Sequence, residues 1–299
     1  MSVLLITDPL PAAPFAAALQ AAAPEMELLS WHPDLDAAAT QGVDAVLGWR
    51  FPRGVVERLP RLRWVCAMAA GVEKLLVPEL PAAVAVSRII DAEQGRCVAH
   101  YVAAMALRHA RQLPLYEAQQ RRRDWTRYPV AGGLDCTVGV LGRGEMGREV
   151  ARLLESIDFR VHSFGRGDGA LASFLPGCDI VVCALPLTAE TAGLLDAQAF
   201  AAMKRGSYLI NVARGGHVVE ADLIAALQRG HLAGAALDVQ QREPLPADDP
   251  LWDAPGITIT PHIAAQSTPA TIAAQFAEGW RALQAGAPLP RRIDRVRGY

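Results

Sequence analysis

The sequence predicts an α/β protein of two doubly wound parallel-sheet domains, the second inserted in the first. Three observations predict it. The stretch Thr137 to Val150, TVGVLGRGEMGREV, passes from a short apolar strand through a G-x-G-x-x-G turn into a helical pattern. Short apolar runs alternate with helical stretches on both sides of it, as in a parallel sheet covered on both faces. The turn lies mid-chain, so a sizeable region precedes it, and 299 residues are enough for about two domains.

The turn is a dinucleotide-binding signal. Val138, Val140 and Leu141 read as a buried strand; Gly142, Gly144 and Gly147 follow; Val150, Leu153 and Leu154 share a helix face within Arg148 to Glu155. The first glycine permits the tight turn, the second lets backbone approach a pyrophosphate, and the third lets helix pack close to strand. The helix N-terminus then faces the phosphate charge. Arg143, Glu145 and Met146, lying between the glycines, count with them as cofactor contacts.

In chain order, Val3–Thr7 is a strand turned by Asp8-Pro9, and Phe15–Ala23 a helix bounded by Pro14 and Pro24. Met26–Trp31, Val43–Trp49, Leu62–Met68 and Val84–Ser87 are further strands, with a short helix at Val55–Leu59. Helical spacing of Val98, Val102, Met105 and His109 marks a long helix from Asp91 to about Gln112. Residues 113–135, with Pro114, Trp125, Tyr128, Pro129 and Gly132-Gly133, read as a connector or arm. After the glycine turn come strands at Arg160–Phe164, Asp179–Leu185, Tyr208–Val212, Ala233–Val239 and Ile257–Thr260, and a helix at Ala221–Gln228 ended by Gly230. A last helix, Thr271–Leu283, is expected to return to the first domain. The expected domains are residues 1–92 with 267–299, and 93–266 carrying the arm 113–135.

Composition narrows the function classes. A hydrophobic share of 52% supports real cores, and a net charge of −2 gives no case for a nucleic-acid partner. The run Arg121-Arg122-Arg123 reads as a solvated helix end. Five scattered cysteines form no C-x-x-C pair, which argues for a reducing compartment and against a zinc site. No apolar stretch is long enough to span a membrane, and MSVLLITDPLP lacks a basic leader. The expectation is a soluble cytoplasmic protein without a metal.

Cofactor choice turns on the end of the strand RVHSF, where Gly165-Arg166 stands in place of the usual acid. An arginine suits a 2′-phosphate, so NADP(H) is the preferred cofactor. Asp168, two residues on, could take the acidic role and keeps NAD(H) open. Three polar residues sit past later strands: Arg214, Glu243 and His262. Each is weak evidence alone. Together they suit reduction of a 2-oxo acid: His262 as acid/base, Glu243 orienting its ring, and Arg214 holding the substrate carboxylate.

The stretches VGVLGRGEMG (138–147), LINVARGGHVVEADLIAALQRGHLAGAALDV (209–239), REPLPADDPLW (242–252) and TITPHIA (258–264) carry a resemblance to the D-isomer-specific 2-hydroxyacid dehydrogenases. Within that family, His217-Val218-Val219-Glu220, Trp49 and the terminal Arg297-Gly298-Tyr299 look like the bacterial glyoxylate/hydroxypyruvate reductases of the A type. The resemblance implies a Rossmann-like domain inserted in a flavodoxin-like one, a cleft between them, and a homodimer. It implies NADPH-dependent reduction of small 2-oxo acids, glyoxylate and hydroxypyruvate, with the catalytic set on Arg214, Glu243 and His262. AAGVEKL (69–75) resembles the family's carboxylate-binding loop, which with Trp49 implies substrate contacts at Trp49, Ala70 and Gly71 besides Arg214 and His262. Asp238 falls at a nicotinamide contact, Leu185 and Pro186 in the loop lining the cofactor cleft, and Val212 and Ala213 beside it. Gln240 stands where the family often has Phe. Two alternatives remain: an NAD-dependent dehydrogenase of a bulkier 2-hydroxy acid, and a dinucleotide-sensing binding protein on the same fold.

Overall fold

The computed structural model describes residues 1–8, 10–129 and 135–295. Pro9, Gly132-Gly133 of the expected arm, and Arg297-Gly298-Tyr299 lie outside the described residues. The chain divides into two compact units, Met1–Ala92 joined by the segment from Gln266, and Glu93–Ala265.

The first unit is a parallel five-stranded sheet. Its strands are β1 (Ser2–Ile6), β2 (Glu27–Ser30), β3 (Val43–Gly48), β4 (Trp64–Ala67) and β5 (Ala85–Arg88), in the order β2-β1-β3-β4-β5. That is the flavodoxin-like order. β1, β3 and β4 are buried along their whole length, which is why SVLLI and WVCA read as apolar runs rather than alternating ones. Helix α1 (Ala12–Ala22) begins after Pro11, one turn earlier than the sequence suggests. Pro14 sits in its first turn, where a missing N–H breaks nothing. A short helix α2 (Ala37–Thr40), capped by the Asp36 side chain, was not evident from periodicity.

The second unit opens with α3 (Glu93–Ala110) and α4 (Leu113–Arg122). Its six strands are β6 (Thr137–Leu141), β7 (Arg160–Phe164), β8 (Ile180–Cys183), β9 (Tyr208–Asn211), β10 (Gly234–Leu237) and β11 (Ile257–Ile259). All pair in parallel, in the order β11-β10-β9-β8-β6-β7. Chain progress reverses at the β6/β8 boundary, the switch point beside which open α/β sheets take ligands. Helices α3 and α5 (Glu145–Ser156) pack on one face through Val98, Val102, Val150 and Leu154; α6 (Leu171–Phe174), α7 (Ala197–Ala202) and α8 (Glu220–Gln228) lie with the other.

Helix α9 (Pro269–Gln284), capped by Thr268, belongs to the first unit. It lies beside α1 over β4: Phe276 stacks on Trp64 at 4.5 Å, and Trp280 is fully buried in the same cluster.

Candidate active site

The glycine turn is built as its spacing implies. A side chain at Gly147 would overlap the Gly142 carbonyl oxygen, and one at Gly142 would meet the Ala184 carbonyl oxygen at 2.6 Å, with φ at +118°. These two glycines are imposed by the fold. Gly144 is not: a Cβ there meets nothing within 4 Å. It caps α5, which starts at Glu145 rather than Arg148, so Glu145, Met146 and Gly147 form the first turn. Their backbone N–H groups have no intrahelical acceptor. The open side of Gly144 beside those donors fits a pyrophosphate, so the residues present suit a dinucleotide.

At the end of β7, Arg166 is 92% exposed along its side chain and approaches Glu190 at 3.5 Å. Asp168 does not stand apart, as an acid able to take either role would. Arg143 donates from Nη1 to its Oδ1 at 3.0 Å and pairs from Nη2 with Oδ2 at 2.5 Å. The Gly165 N–H also donates to Oδ2, at 2.9 Å.

Arg214, Glu243 and His262 all lie in the second unit, past the carboxyl ends of β9, β10 and β11. Asn211, the last residue of β9, shapes the first loop. Its side chain accepts from Ala213 N–H at 3.1 Å and donates to the Arg214 carbonyl at 3.0 Å. Arg214 is extended and donates from Nη1 to the Ala213 carbonyl at 2.8 Å. A side chain at Gly215 would overlap the Gln240 carbonyl, so the loop carrying Arg214 is pressed on the one carrying Glu243. Glu243 Oε2 lies 3.1 Å from His262 Nδ1, and its Oε1 accepts from the Gln240 N–H at 3.3 Å. An ionised carboxylate only accepts, so Nδ1 carries a proton in this pair. Imidazole and carboxylate side chains are 25% and 17% exposed, dry enough for their charges to matter and open enough to be reached.

His262 itself sits at φ +57°, an uncommon region for a residue with a Cβ. Asp238 holds the loop there. This buried carboxylate accepts from Thr260 Oγ1 at 2.6 Å, Ile263 N–H at 2.9 Å and Ala264 N–H at 2.8 Å. Thr260 in turn meets the Tyr101 hydroxyl at 2.8 Å. Burial, with the Asp238 charge adding to it and the Thr260 bond opposing, pushes that phenol up to about 12.

Sequence reasoning missed how three residues support this site, although the resemblance had marked Asp238 for a different contact, with the nicotinamide. Asp238 is bound to backbone on the far side of β11. His217 is fully buried with Nδ1 2.9 Å from the Arg214 carbonyl and Nε2 3.2 Å from the Pro186 carbonyl, tying the arginine loop to the loop after β8. Gln240 turns inward to donate to the Leu237 carbonyl at 3.0 Å. The only sequence signals were the Gly-Gly pair after Arg214 and the polar residue after a buried strand. Val212 donates to the Cys183 carbonyl at 3.3 Å; Leu185 is partly buried beside Pro186, and Ala213 is buried. Trp49, Ala70 and Gly71 lie in the first unit, after β3 and β4; Lys74 rides over the Trp49 ring at 5.7 Å. Among the described residues no cluster of three or more His, Cys, Asp or Glu could hold a metal, and no helix is long and apolar enough to cross a membrane.

A parallel sheet that opens on this glycine turn, with an imidazole–carboxylate pair past later strands, defines a dinucleotide-dependent oxidoreductase as the class. Comparison with known proteins narrows it. The model of the D-isomer specific 2-hydroxyacid dehydrogenase NAD binding domain matches residues 103–264. A glyoxylate/hydroxypyruvate reductase A of Serratia proteamaculans is 37% identical, covering 92% of this chain and 93% of the relative. That of Yersinia enterocolitica is 34% identical, covering 94% of each. A D-isomer specific 2-hydroxyacid dehydrogenase from Xanthobacter autotrophicus Py2, solved with NADPH and MES, superposes with a TM-score of 0.83 at 36% identity, covering 100% of this chain and 99% of that one. The NADPH-dependent glyoxylate/hydroxypyruvate reductase of Sinorhizobium meliloti, solved with NADP and sulfate, gives 0.87 at 31% identity over 100% of both chains. The chain belongs to the D-isomer specific 2-hydroxyacid dehydrogenases, a family of NAD(P)-dependent dehydrogenases and reductases.

Proposed function

We propose that this chain reduces small 2-oxo acids, glyoxylate and hydroxypyruvate first, to 2-hydroxy acids with NADPH. The observation that carries the chemistry is the His262–Glu243 pair at 3.1 Å, on the loops past β11 and β10, with the Arg214 loop past β9 packed against the Glu243 loop. The relatives named for glyoxylate and hydroxypyruvate, and those solved with NADPH or NADP, support the substrate and cofactor.

In this reading Gly142 to Gly147 hold the pyrophosphate, with Leu185, Pro186, Val212 and Ala213 beside the cofactor and Asp238 near its nicotinamide. The bound dinucleotide supplies the hydride that adds to C2 of the substrate. Arg214 holds the substrate carboxylate and polarises the carbonyl as charge grows on its oxygen. His262, kept in one orientation by Glu243, gives its Nε2 proton to that oxygen. Trp49, Ala70 and Gly71 complete the substrate contacts, and Arg166 reads the 2′-phosphate. The same reading makes the protein a cytoplasmic homodimer, paired through residues 107–128, where Leu107, Leu113, Leu115, Trp125 and Tyr128 are all exposed.

The test is oxidation of NADPH and NADH at pH 7 with glyoxylate, hydroxypyruvate, pyruvate and a bulky 2-oxo acid. Turnover of glyoxylate or hydroxypyruvate with NADPH is expected. His262→Asn should lower kcat by about a hundredfold or more, the usual share of a positioned general acid. Arg214→Ala should raise KM for the 2-oxo acid and lower kcat together. Turnover confined to the bulky acid or to NADH would sink the substrate or cofactor assignment. Cofactor binding with no turnover would favour a sensor.

A further inference from the structure

The end of β7 holds two arginines in different states. Arg166 reaches outward, meeting an exposed glutamate across 3.5 Å. Arg143, the second residue of the glycine turn, is fixed. Besides its two bonds to Asp168 it donates from Nη2 to the Ser163 carbonyl at 3.0 Å. Its stem lies over Gly165, where a Cβ would meet Arg143 Cγ and Cδ at 3.3 Å. The absence of a side chain at Gly165 makes the room. A cavity of about 490 Å³ lined by Arg143, Ser163, Phe164, Asp168 and Phe174 opens beside the pair.

A ribose with a free 2′-hydroxyl is recognised by a carboxylate that accepts its hydrogen bond. A ribose carrying a 2′-phosphate is repelled by that same carboxylate and held by guanidinium groups. Here the nearby acid is Asp168, and both its oxygens already accept from Arg143, one of them also from the Gly165 N–H. The acid is still present, but its charge is matched and its acceptors are engaged. We propose that Arg143 sets cofactor choice: by engaging Asp168 it withdraws the acceptor a 2′-hydroxyl needs, and with Arg166 it forms a basic edge for the 2′-phosphate. The inference rests on the NADP(H) reading above and adds the residue that disarms the acid.

Calorimetric titration of the full chain with NADPH, NADH, 2′,5′-ADP and 5′-AMP tests it, on the wild type, Arg143→Ala, Asp168→Asn and the double variant. Arg143→Ala should weaken NADPH and 2′,5′-ADP by about tenfold or more, the loss of one charge-assisted contact, with NADH and 5′-AMP changed less than about threefold. Asp168→Asn should leave NADH unchanged, because the acid is not its acceptor. Adding Asp168→Asn to Arg143→Ala should restore part of the NADPH affinity, because the exposed carboxylate is then the repelling group. Equal weakening of both dinucleotides by Arg143→Ala would overturn the proposal. So would selective loss of NADH on Asp168→Asn, or a double variant no better than Arg143→Ala. A wild type without preference for NADPH would overturn the cofactor reading itself, and that result shows in the wild-type titration alone.

Discussion

Asp238 shows how a single buried side chain can hold the loop that carries His262. Its two oxygens gather Thr260, Ile263 and Ala264, and the His262 N–H donates to its own carbonyl at 2.8 Å. The loop thereby keeps His262 at φ +57° and turned to Glu243. Asp238→Asn exchanges one acceptor oxygen for a donor and leaves a buried N–H without a partner, which costs about 1–3 kcal/mol. The expected result is a lower melting temperature and a kcat that falls more than KM rises, read by calorimetry and steady-state kinetics. An unchanged kcat would detach Asp238 from the imidazole. Gly142, Gly147, Arg214, Glu243 and His262 were legible in the sequence because residue type and local spacing carry their signal. Asp238, His217 and Gln240 were legible only by resemblance or not at all: Asp238 and His217 bind backbone far away in the chain, at Ile263, Ala264 and Pro186, and the inward turn of Gln240 is set by folding of the loop.

Strands were the more legible elements. Each expected strand is present within about two residues at either end, most clearly the central ones, which are buried along their whole length and written as largely apolar runs. Helix starts were less legible. Residues 113–122, read as the beginning of an arm, form α4, because Pro114 lies in the first turn and the reversal from α3 is made at Gln112, with φ at +54°. Proline there is a start signal rather than a break. β6 and β8 are joined at their amino ends by Asp179, whose carboxylate accepts from the Thr137 N–H at 2.9 Å and pairs with Lys204. Burial opposes its ionisation, but the Lys204 and Thr137 bonds outweigh that and hold the carboxyl below its usual range. Its stabilising effect is therefore present above the unfolded value, near pH 4, and is lost as pH falls through the lower folded value. Asp179→Asn should destabilise by about 0.5–1 kcal/mol at pH 7, as expected for a pair open to solvent on the lysine side, and the gap should close in acid once the folded-state carboxyl is protonated. Urea melts at pH 7 and in acid decide it; a gap that persists in acid would assign the effect to packing.

The chain is two parallel-sheet units, and the first is made from both ends of the sequence. Its closure depends on α9. A Cβ at Gly279 would meet Trp64 at 2.6 Å, and Trp64 cannot retreat: it is buried, stacked on Phe276, and donates to Ser87 Oγ at 2.9 Å. Gly279→Ala should therefore destabilise the first unit by about 1–3 kcal/mol, the usual range for overpacking. Hydrogen exchange should locate the loss in β4 and α9 and leave β6, β8 and β9 protected; a uniform loss would mean that the two units unfold as one. The twofold division was legible from the mid-chain glycine turn. The sequence led to the expectation that this last helix returns to the first domain, but not to the residues it packs on, Trp64 among them, because those are decided by tertiary packing.

The split also sets an order of events on the ribosome. The first ninety-two residues emerge with five strands and no α9 to cover the face that Phe276 and Trp280 later occupy. At roughly 5–20 residues per second, synthesis takes on the order of ten seconds or more to reach that helix. Glu93–Ala265, a compact unit without that helix, is fully synthesised before then. The nascent amino-terminal sheet meanwhile presents Trp64 and its neighbours to the surrounding cell, so it is this half, translated first and finished last, that a co-translational chaperone would have most reason to hold.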